Sequence, residues 1–392
     1  MMNRQLALFT VIRFVFNTAH RMVYPFLGVI ARGLGVDLPA MSLALTARAL
    51  VGTLGPFAAT VADSRSRKFG MLLGLGVFSS GAGIVALLPT LPGLTISLVL
   101  ATMGKYIFDP SMQAHIGDRV PYERRGRAIA ITEMGWSLAY VVGIPLMGLL
   151  IARRGWVAPF PLFALLGLLM FAALYLLLPH EPLREPPPNG TFSSFRVVFA
   201  SIPALLGLSI ALLVSAGNEL VSLVFGVWLE DSFGLKILAL GAAAAVIGLA
   251  ELSGEGLVAG FSDRMGKPLA IALGLAANSV AALLLPLLGR TTPGALAGLF
   301  LFYITFEFGV VSMIPMMTEV LPSARATLMA FNIAAFSLGR AIGAPLAPLL
   351  YGHGFWVVAV GAAAFNLVAL VALRFMTARQ KLAAKPASHE AV

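Results

Sequence analysis

The chain has 392 residues, 59% of them hydrophobic and 11% charged, and a mean hydropathy of +0.92. A soluble protein of this length carries about a quarter charged residues, so no water-facing surface can be built from this sequence and the class is polytopic membrane protein. The net charge of +10 would suggest a nucleic-acid partner in a soluble chain, but here it has a topological cause, and the absence of cysteine excludes disulfides, thiolate metal sites and thiol nucleophiles.

The chain opens on Arg4 and an apolar run. That run is long, carries polar residues and lacks a small-residue cleavage site, so it reads as a membrane crossing rather than a cleaved leader. Twelve apolar segments of spanning length follow: 6–30, 39–61, 69–90, 95–117, 128–151, 157–178, 200–228, 237–260, 268–289, 294–317, 326–350 and 355–376. A helix needs roughly 20 residues to cross the hydrocarbon. Most breaks carry Gly, Pro or charge, such as Gly33-Leu34-Gly35, Arg153-Arg154-Gly155 and Thr292-Pro293-Gly294.

Lys and Arg set the orientation. One face holds the N-terminus, the loops at 62–68, 118–127, 179–199, 261–267 and 318–325, and the C-terminal tail. It carries 17 of these bases against 5 on the other face. The basic face is expected to be cytoplasmic, in a plasma (inner) membrane, with both termini inside. This bias accounts for the net charge without nucleic acid. Trp156, Trp228 and Trp356 fall at the outer helix ends, as an aromatic belt requires.

The one long polar connection contains Glu185-Pro186-Pro187-Pro188-Asn189-Gly190, which favours extended structure and a turn. The expected organisation is a six-helix bundle over 1–178, a Pro-rich cytoplasmic linker over 179–199, a second six-helix bundle over 200–376 and a disordered tail over 377–392. The fold class is all-α, twelve transmembrane helices in two repeats. An even number of helices per half points both halves the same way, related by an axis along the membrane normal.

An offset of 200 positions supports the repeat. It carries Asp63 onto Asp263, Leu73-Gly74-Leu75 onto Leu273-Gly274-Leu275, and Arg125 onto Arg325. It also carries Gly143 onto Gly343, Pro145 onto Pro345 and Trp156 onto Trp356. A single register held over that span marks two copies of one unit. Gly143, Pro145, Gly343 and Pro345 are read as close-packing and kink sites between the halves.

These residues resemble the major facilitator superfamily along nearly the whole chain. Its signature between helices 2 and 3 is Gly-x-x-x-Asp-Arg-x-Gly-Arg-Arg/Lys. The first copy here has Ala59, Asp63, Ser64, Ser66, Arg67 and Lys68; the second has Ala259, Asp263, Arg264, Gly266 and Lys267. Gly143-Ile144-Pro145-Leu146-Met147-Gly148 is similar to a reduced form of the Gly-Pro-x-x-Gly-Gly motif of proton antiporters. Twelve helices and short loops look most like the drug–proton antiporter branch. The resemblance implies that Asp63 caps a helix of the opposite half, helix 11, and that Asp263 does the same to helix 5. It implies that Arg67 pairs with Asp118, and Lys267 with Glu319. With Lys68 and Arg264, these groups would form a latch that holds the cytoplasmic side closed.

A charge at mid-membrane costs about 2.5–3.5 kcal/mol on insertion scales, so each needs a reason. The N-terminal half holds Arg13, Arg21, Arg48, Lys105, Asp109 and Glu133; the C-terminal half holds Glu219, Glu251, Glu255, Glu307 and Arg340. Arg13, Asn17, His20, Arg21 and Tyr24 share one face of helix 1. Lys105 and Asp109 lie one turn apart, an arrangement that lets them pair within the helix. Glu251 and Glu255 lie one turn apart as like charges. Glu133 reads as a gate or structural pair, and His20 beside Arg21 as a neutral hydrogen-bond partner. The expectation is a central cavity with a basic N-terminal wall and an acidic C-terminal wall. The resemblance assigns the lining to helices 1, 4, 7 and 10. The candidate cavity residues are Asn17, His20, Arg21, Tyr24, Lys105, Asp109, Asn218, Glu219, Tyr303 and Glu307. The proton-coupling candidates are Asp109, Glu219, Glu251, Glu255 and Glu307.

The functional expectation is a secondary active transporter, with proton-coupled efflux of a small amphipathic or zwitterionic compound by alternating access. Lipid flipping of a lysophospholipid, and proton-coupled uptake of an organic anion, are the alternatives. No nucleophile–base pattern, metal cluster or phosphate-binding loop supports an enzyme, and no nucleotide motif supports ATP drive. The partners expected are a small-molecule substrate, the lipid bilayer and protons, acting on a monomer without cofactor or metal.

Overall fold

A computed structural model of the chain describes residues 2–55, 66–179 and 191–384, and all regular structure among them is helical. The first crossing, α1, is Met2–Arg21 continued by Leu27–Leu34. It is followed by α2 (Leu38–Gly52), α3 (Arg67–Leu87), α4 (Leu91–Arg119), α5 (Tyr122–Leu138, then a π turn at Ala139–Gly143 and Ile144–Arg154) and α6 (Pro159–Leu177). The second half comprises α7 (Ile202–Phe233), α8 (Ile237–Leu257), α9 (Lys267–Leu288), α10 (Thr292–Val320), α11 (Arg325–Tyr351) and α12 (Phe355–Ala384). From α3 onward, ten helices are each long and apolar enough to span a bilayer. The first two complete the twelve. Arg13 and Arg21 lower the hydropathy of α1, and the described part of α2 stops at residue 55. The sharp turn between α1 and α2 is a loop between two crossings. Gly35 takes it at φ 67°, where a side chain is disfavoured. Asp37 then caps α2 by accepting from the Ala40 amide.

The repeat read from the sequence recurs in the packing. In the first half α1 packs on α5, α2 on α4, and α3 on both α4 and α6. In the second half α7 packs on α11, α8 on α10, and α9 on both α10 and α12. Small residues set these distances. A Cβ on Gly74 would lie 2.6 Å from the Gly104 carbonyl, and one on Gly274 would lie 2.5 Å from the Gly309 backbone. The α3–α4 and α9–α10 crossings are thus tight in related places, as expected where backbone approach replaces a hydrophobic driving force. The two halves meet through α2 on α11 and α5 on α8, again a related pair, and through α1 on α7.

Four expectations about elements are corrected. The linker is not extended throughout, since Thr191–Ala200 is helical. The tail is helical past the expected boundary at 376, as far as Ala384. The first crossing is broken at 22–26, where Pro25 supplies no amide. Trp228 is not a belt residue: it is 5% exposed and stacks on Phe355 at 4.0 Å between ring centroids.

Candidate substrate cavity

One set of contacts between the halves runs from the membrane centre toward the face opposite the chain termini, here the distal face; another joins α2 and α4 to α11, where the Tyr106 and Ser337 hydroxyls bond at 3.0 Å and Gly52 lies against Ser337. At the distal end of α1, Arg32 pairs with Glu230 at the end of α7. One turn inward, Gly28 lies against Val227, and Gly226 lies against Pro25, where a Cβ would be 2.6 Å from the Pro25 carbonyl oxygen. Phe26 sits against Gly148 of α5 and Gly241 of α8. The break in α1 is thereby pressed against α7, and it aims Tyr24 across the interface.

Beneath this seal, at mid-membrane, lies a cavity of about 60 Å³. Arg21 of α1 crosses to Glu251 of α8 in a two-point ion pair, Nη1 to Oε2 at 2.7 Å and Nη2 to Oε1 at 3.0 Å. Both side chains are 5–6% exposed. The Arg21 guanidinium also stacks over Trp136 at 3.5 Å and beside Tyr140 at 4.2 Å. A second link is a relay. Arg48 of α2 donates to the Tyr24 hydroxyl at 2.7 Å, and that hydroxyl donates to Glu219 of α7 at 3.1 Å. Arg48 also donates to the His20 carbonyl. Arg340 of α11 and Glu307 of α10 line the same space, together with Asn218, Ser222, Tyr303 and Phe306. The Ser222 hydroxyl bonds Tyr303, and donates to Asn218 at 3.0 Å.

Of the expected cavity residues, His20, Arg21, Tyr24, Asn218, Glu219, Tyr303 and Glu307 line this space. Three do not. Asn17 is fully buried on α1. Lys105 and Asp109 pair with each other on α4, and Asp109 also lies 3.7 Å from Arg13, which pairs with Glu133 of α5. These four charges neutralise one another inside the first half. Glu133 is therefore a partner of Arg13. Of the coupling candidates, Glu251 and Glu219 reach across the interface, Glu307 faces the cavity and Glu255 is exposed. The like-charge pair on α8 is resolved by Arg21, which takes Glu251 alone.

Sequence reasoning placed Arg48 and Arg340 on flanking helices and passed over Trp136, Tyr140, Ser222 and Phe306. Spacing gave one available signal: Trp136 and Tyr140 are i and i+4 on α5, a turn above Glu133. Pro25 was the signal for the break in α1.

On the terminal face, Asp63 lies outside the described residues, and Asp263 opens a short helical turn. Arg67 stands 3.4 Å from Asp118, and Lys267 stands 3.3 Å from Glu319, each pair within one half. Lys68, expected in the latch, is buried and donates to the carbonyls of Tyr175 and Leu178, capping the C-terminus of α6. Arg264 is exposed. Gly143 and Gly343 pack within the halves, on Thr18 of α1 and on Ala216 and Glu219 of α7. Only Pro145 of this set is seen against the other half, at Gly241; Pro345 sits inside α11. A larger cavity of about 710 Å³ opens at the terminal ends of α1, α4 and α5, with Arg119 and Arg124 in its wall.

Two six-helix halves around a charged central cavity are the architecture of a secondary transporter. The Major Facilitator Superfamily model matches residues 9–322 and 210–391, and the chain belongs to that family. It is a transporter and not an enzyme. The uncharacterized MFS-type transporter YbcL of Bacillus subtilis is 25% identical over 341 residues, covering 85% of this chain and 86% of the relative. A probable sugar efflux transporter of Pasteurella multocida is 29% identical over 204 residues, 51% of this chain and 49% of the relative. A crystal structure of a POT family transporter in complex with a thioalcohol-conjugated peptide superposes with a TM-score of 0.78 at 15% identity, covering 97% of each chain, which shows the shared fold.

Proposed function

We propose that this chain is a proton-coupled exporter of a small amphipathic or zwitterionic organic compound, working as a monomer by alternating access in the plasma membrane with both termini cytoplasmic. The observation that carries the reading is the pair of carboxylates, Glu251 and Glu219, that hold side chains of the opposite half at mid-membrane. Both bonds exist only while the distal ends of the halves are together. In that state both carboxylates accept hydrogen bonds from the opposite half. A substrate entering the cavity from the terminal face brings charge beside the Arg21–Glu251 pair, which loosens the interface and lets the distal face open. Once the bond is broken, a buried carboxylate without its guanidinium is costly, and a proton taken from the distal side removes that cost. Closure then returns Arg21 to Glu251, and the proton leaves toward the terminal face. One substrate out and protons in is the net exchange.

Export is the direction favoured by the relative named as a probable sugar efflux transporter. The proposed latch of Asp63 and Asp263, with Arg67–Asp118 and Lys267–Glu319, would act in the opposite state, holding the terminal face closed.

The test is transport in proteoliposomes under an imposed pH gradient, with dyes, sugars, lysolipids and amino-acid derivatives as the panel. Gradient-driven movement of a small compound, lost in Glu251→Gln while substrate exchange without a gradient persists, is the expected result. Absence of proton flux with every active substrate would sink the coupling. Activity confined to lysolipids would replace the reading with lipid flipping.

A further inference from the structure

The charges in the membrane-spanning segments divide by whether the protein itself satisfies them. Arg13, Lys105, Asp109 and Glu133 satisfy one another. Arg21 has Glu251, and Arg48 and Glu219 share Tyr24. Glu255 is exposed on α8. Two remain. Glu307 and Arg340 have neither an ion pair nor a hydrogen bond among the described residues, yet both line the central cavity and neither is exposed. They stand on α10 and α11 of one half and carry opposite charges. Had they been selected as a structural pair, they would be joined, as the other buried pairs are. Insertion of each charge carries a cost that no direct ion pair or hydrogen bond among the described residues offsets, although each shares the cavity with opposite charges.

A third group points the same way. Asn218 lines this cavity, its carbonyl accepts from Ser222, and its Nδ2 is buried without a hydrogen-bond partner. A carboxamide N–H left unsatisfied is a donor waiting for an acceptor. The apolar part of the wall on this side is aromatic, formed by Tyr303 and Phe306, beside Ser222, Glu219 and Glu251.

We propose that Glu307 and Arg340 are the two poles of a site for a compact zwitterion with one carboxylate and one ammonium group, an amino acid or close analogue. Arg340, with Asn218 as a further donor, takes the carboxylate, because a guanidinium matches it in geometry as well as charge. Glu307 takes the ammonium. Phe306 and Tyr303 cover the apolar part. A small neutral sugar would leave both charges uncompensated; a single-charge ligand would leave one. Specificity thus comes from what an incorrect ligand leaves unpaired. The inference rests on reading this cavity as the substrate site, and it assigns Glu307 to substrate while Glu251 and Glu219 serve the proton.

The experiment is equilibrium binding to purified protein in nanodiscs without a pH gradient. The probes are L-alanine, γ-aminobutyrate and L-phenylalanine, the N-acetyl and methyl-ester form of each, and glucose. Intrinsic fluorescence and the unfolding midpoint report binding. The wild type is expected to bind at least one zwitterion roughly tenfold or more tightly than either of its single-charge forms. Glu307→Gln should erase the gap between that zwitterion and its N-acetyl form while keeping the gap to the ester. Arg340→Gln should do the reverse. This crossed pattern is one that a general loss of structure does not give. Glu307→Asp and Arg340→Lys, which keep the charges, should retain part of the preference and serve if a glutamine variant does not fold. Equal binding of a zwitterion and its N-acetyl form by the wild type, unchanged preference in both variants, glucose binding as tight as any amino acid, or no binding by any zwitterion each overturn the proposal. A failure of proton coupling would leave these titrations intact. Loss of the zwitterion preference would leave gradient-driven export of another compound standing.

Discussion

At the scale of single residues, the interface is held by few polar contacts of high value. Arg21 and Glu251 are both nearly inaccessible and doubly bonded. Removing one partner leaves the other charge buried and unpaired, at a cost of about 3–5 kcal/mol. Arg21→Gln is therefore expected to lower the thermal unfolding midpoint markedly, whereas Arg21→Met with Glu251→Leu recovers most of the loss. If the single variant unfolds like the wild type, the pair does not hold this state together. Tyr24→Phe is milder. It deletes the hydroxyl between Arg48 and Glu219 and should cost about 1–3 kcal/mol by leaving those groups unsatisfied, read by the same unfolding measurement. These pairings were only partly legible in the sequence. Lys105–Asp109 could be read because an i, i+4 pair needs nothing but helical periodicity. Arg13–Glu133 and Arg21–Glu251 could not, since 120 and 230 positions separate the partners. Periodicity fixes a face of one helix but not which face of another it meets.

At the scale of elements, hydropathy and glycine placement were enough to order twelve crossings and to pair them into repeats. What they did not reveal is where helices depart from regularity. The break at 22–26 and the π turn at 139–143 lie beside the cavity, on α1 and α5. Each is stabilised by a neighbour that sequence distance conceals: Pro25 by Gly226 of α7, and the π turn by Gly248 of α8, where a Cβ would lie 2.7 Å from the Tyr140 Cβ. The glycines are the complement of the irregularities. Gly226→Val would drive a side chain into the Pro25 backbone, and the cheapest relief is separation of α1 from α7. The distal face should then open more often. Since the wild type has no cysteine, Ser222→Cys gives a single reporter in the cavity. Its labelling by a membrane-impermeant thiol reagent added from the distal side should rise severalfold in the Gly226→Val background. Unchanged labelling would mean that the close approach does not hold the halves shut.

At the scale of the whole molecule, the two halves repeat one another in packing but not in charge. The first half neutralises its own cluster around Arg13 and Asp109; the second leaves Glu307 and Arg340 to the cavity. At mid-membrane and distally the link between them runs through Arg21–Glu251, Tyr24–Glu219 and Arg32–Glu230. A transporter built this way must part these contacts once per cycle, and that requirement can be tested without knowing the substrate's name. A Cβ on Gly28 would lie 3.5 Å from a Val227 methyl across the interface, close to the spacing a disulfide needs. Gly28→Cys with Val227→Cys, in a chain otherwise free of cysteine, should oxidise in the distal-closed state and lock it. Transport should fall to background on oxidation and recover with a reducing agent, while each single variant keeps its activity under both conditions. Binding of a ligand added from the terminal face should survive the lock, because the cavity residues are not displaced by it. Oxidised protein that still transports at the reduced rate would show that the distal ends of α1 and α7 stay together throughout the cycle, and alternating access would then have to open elsewhere.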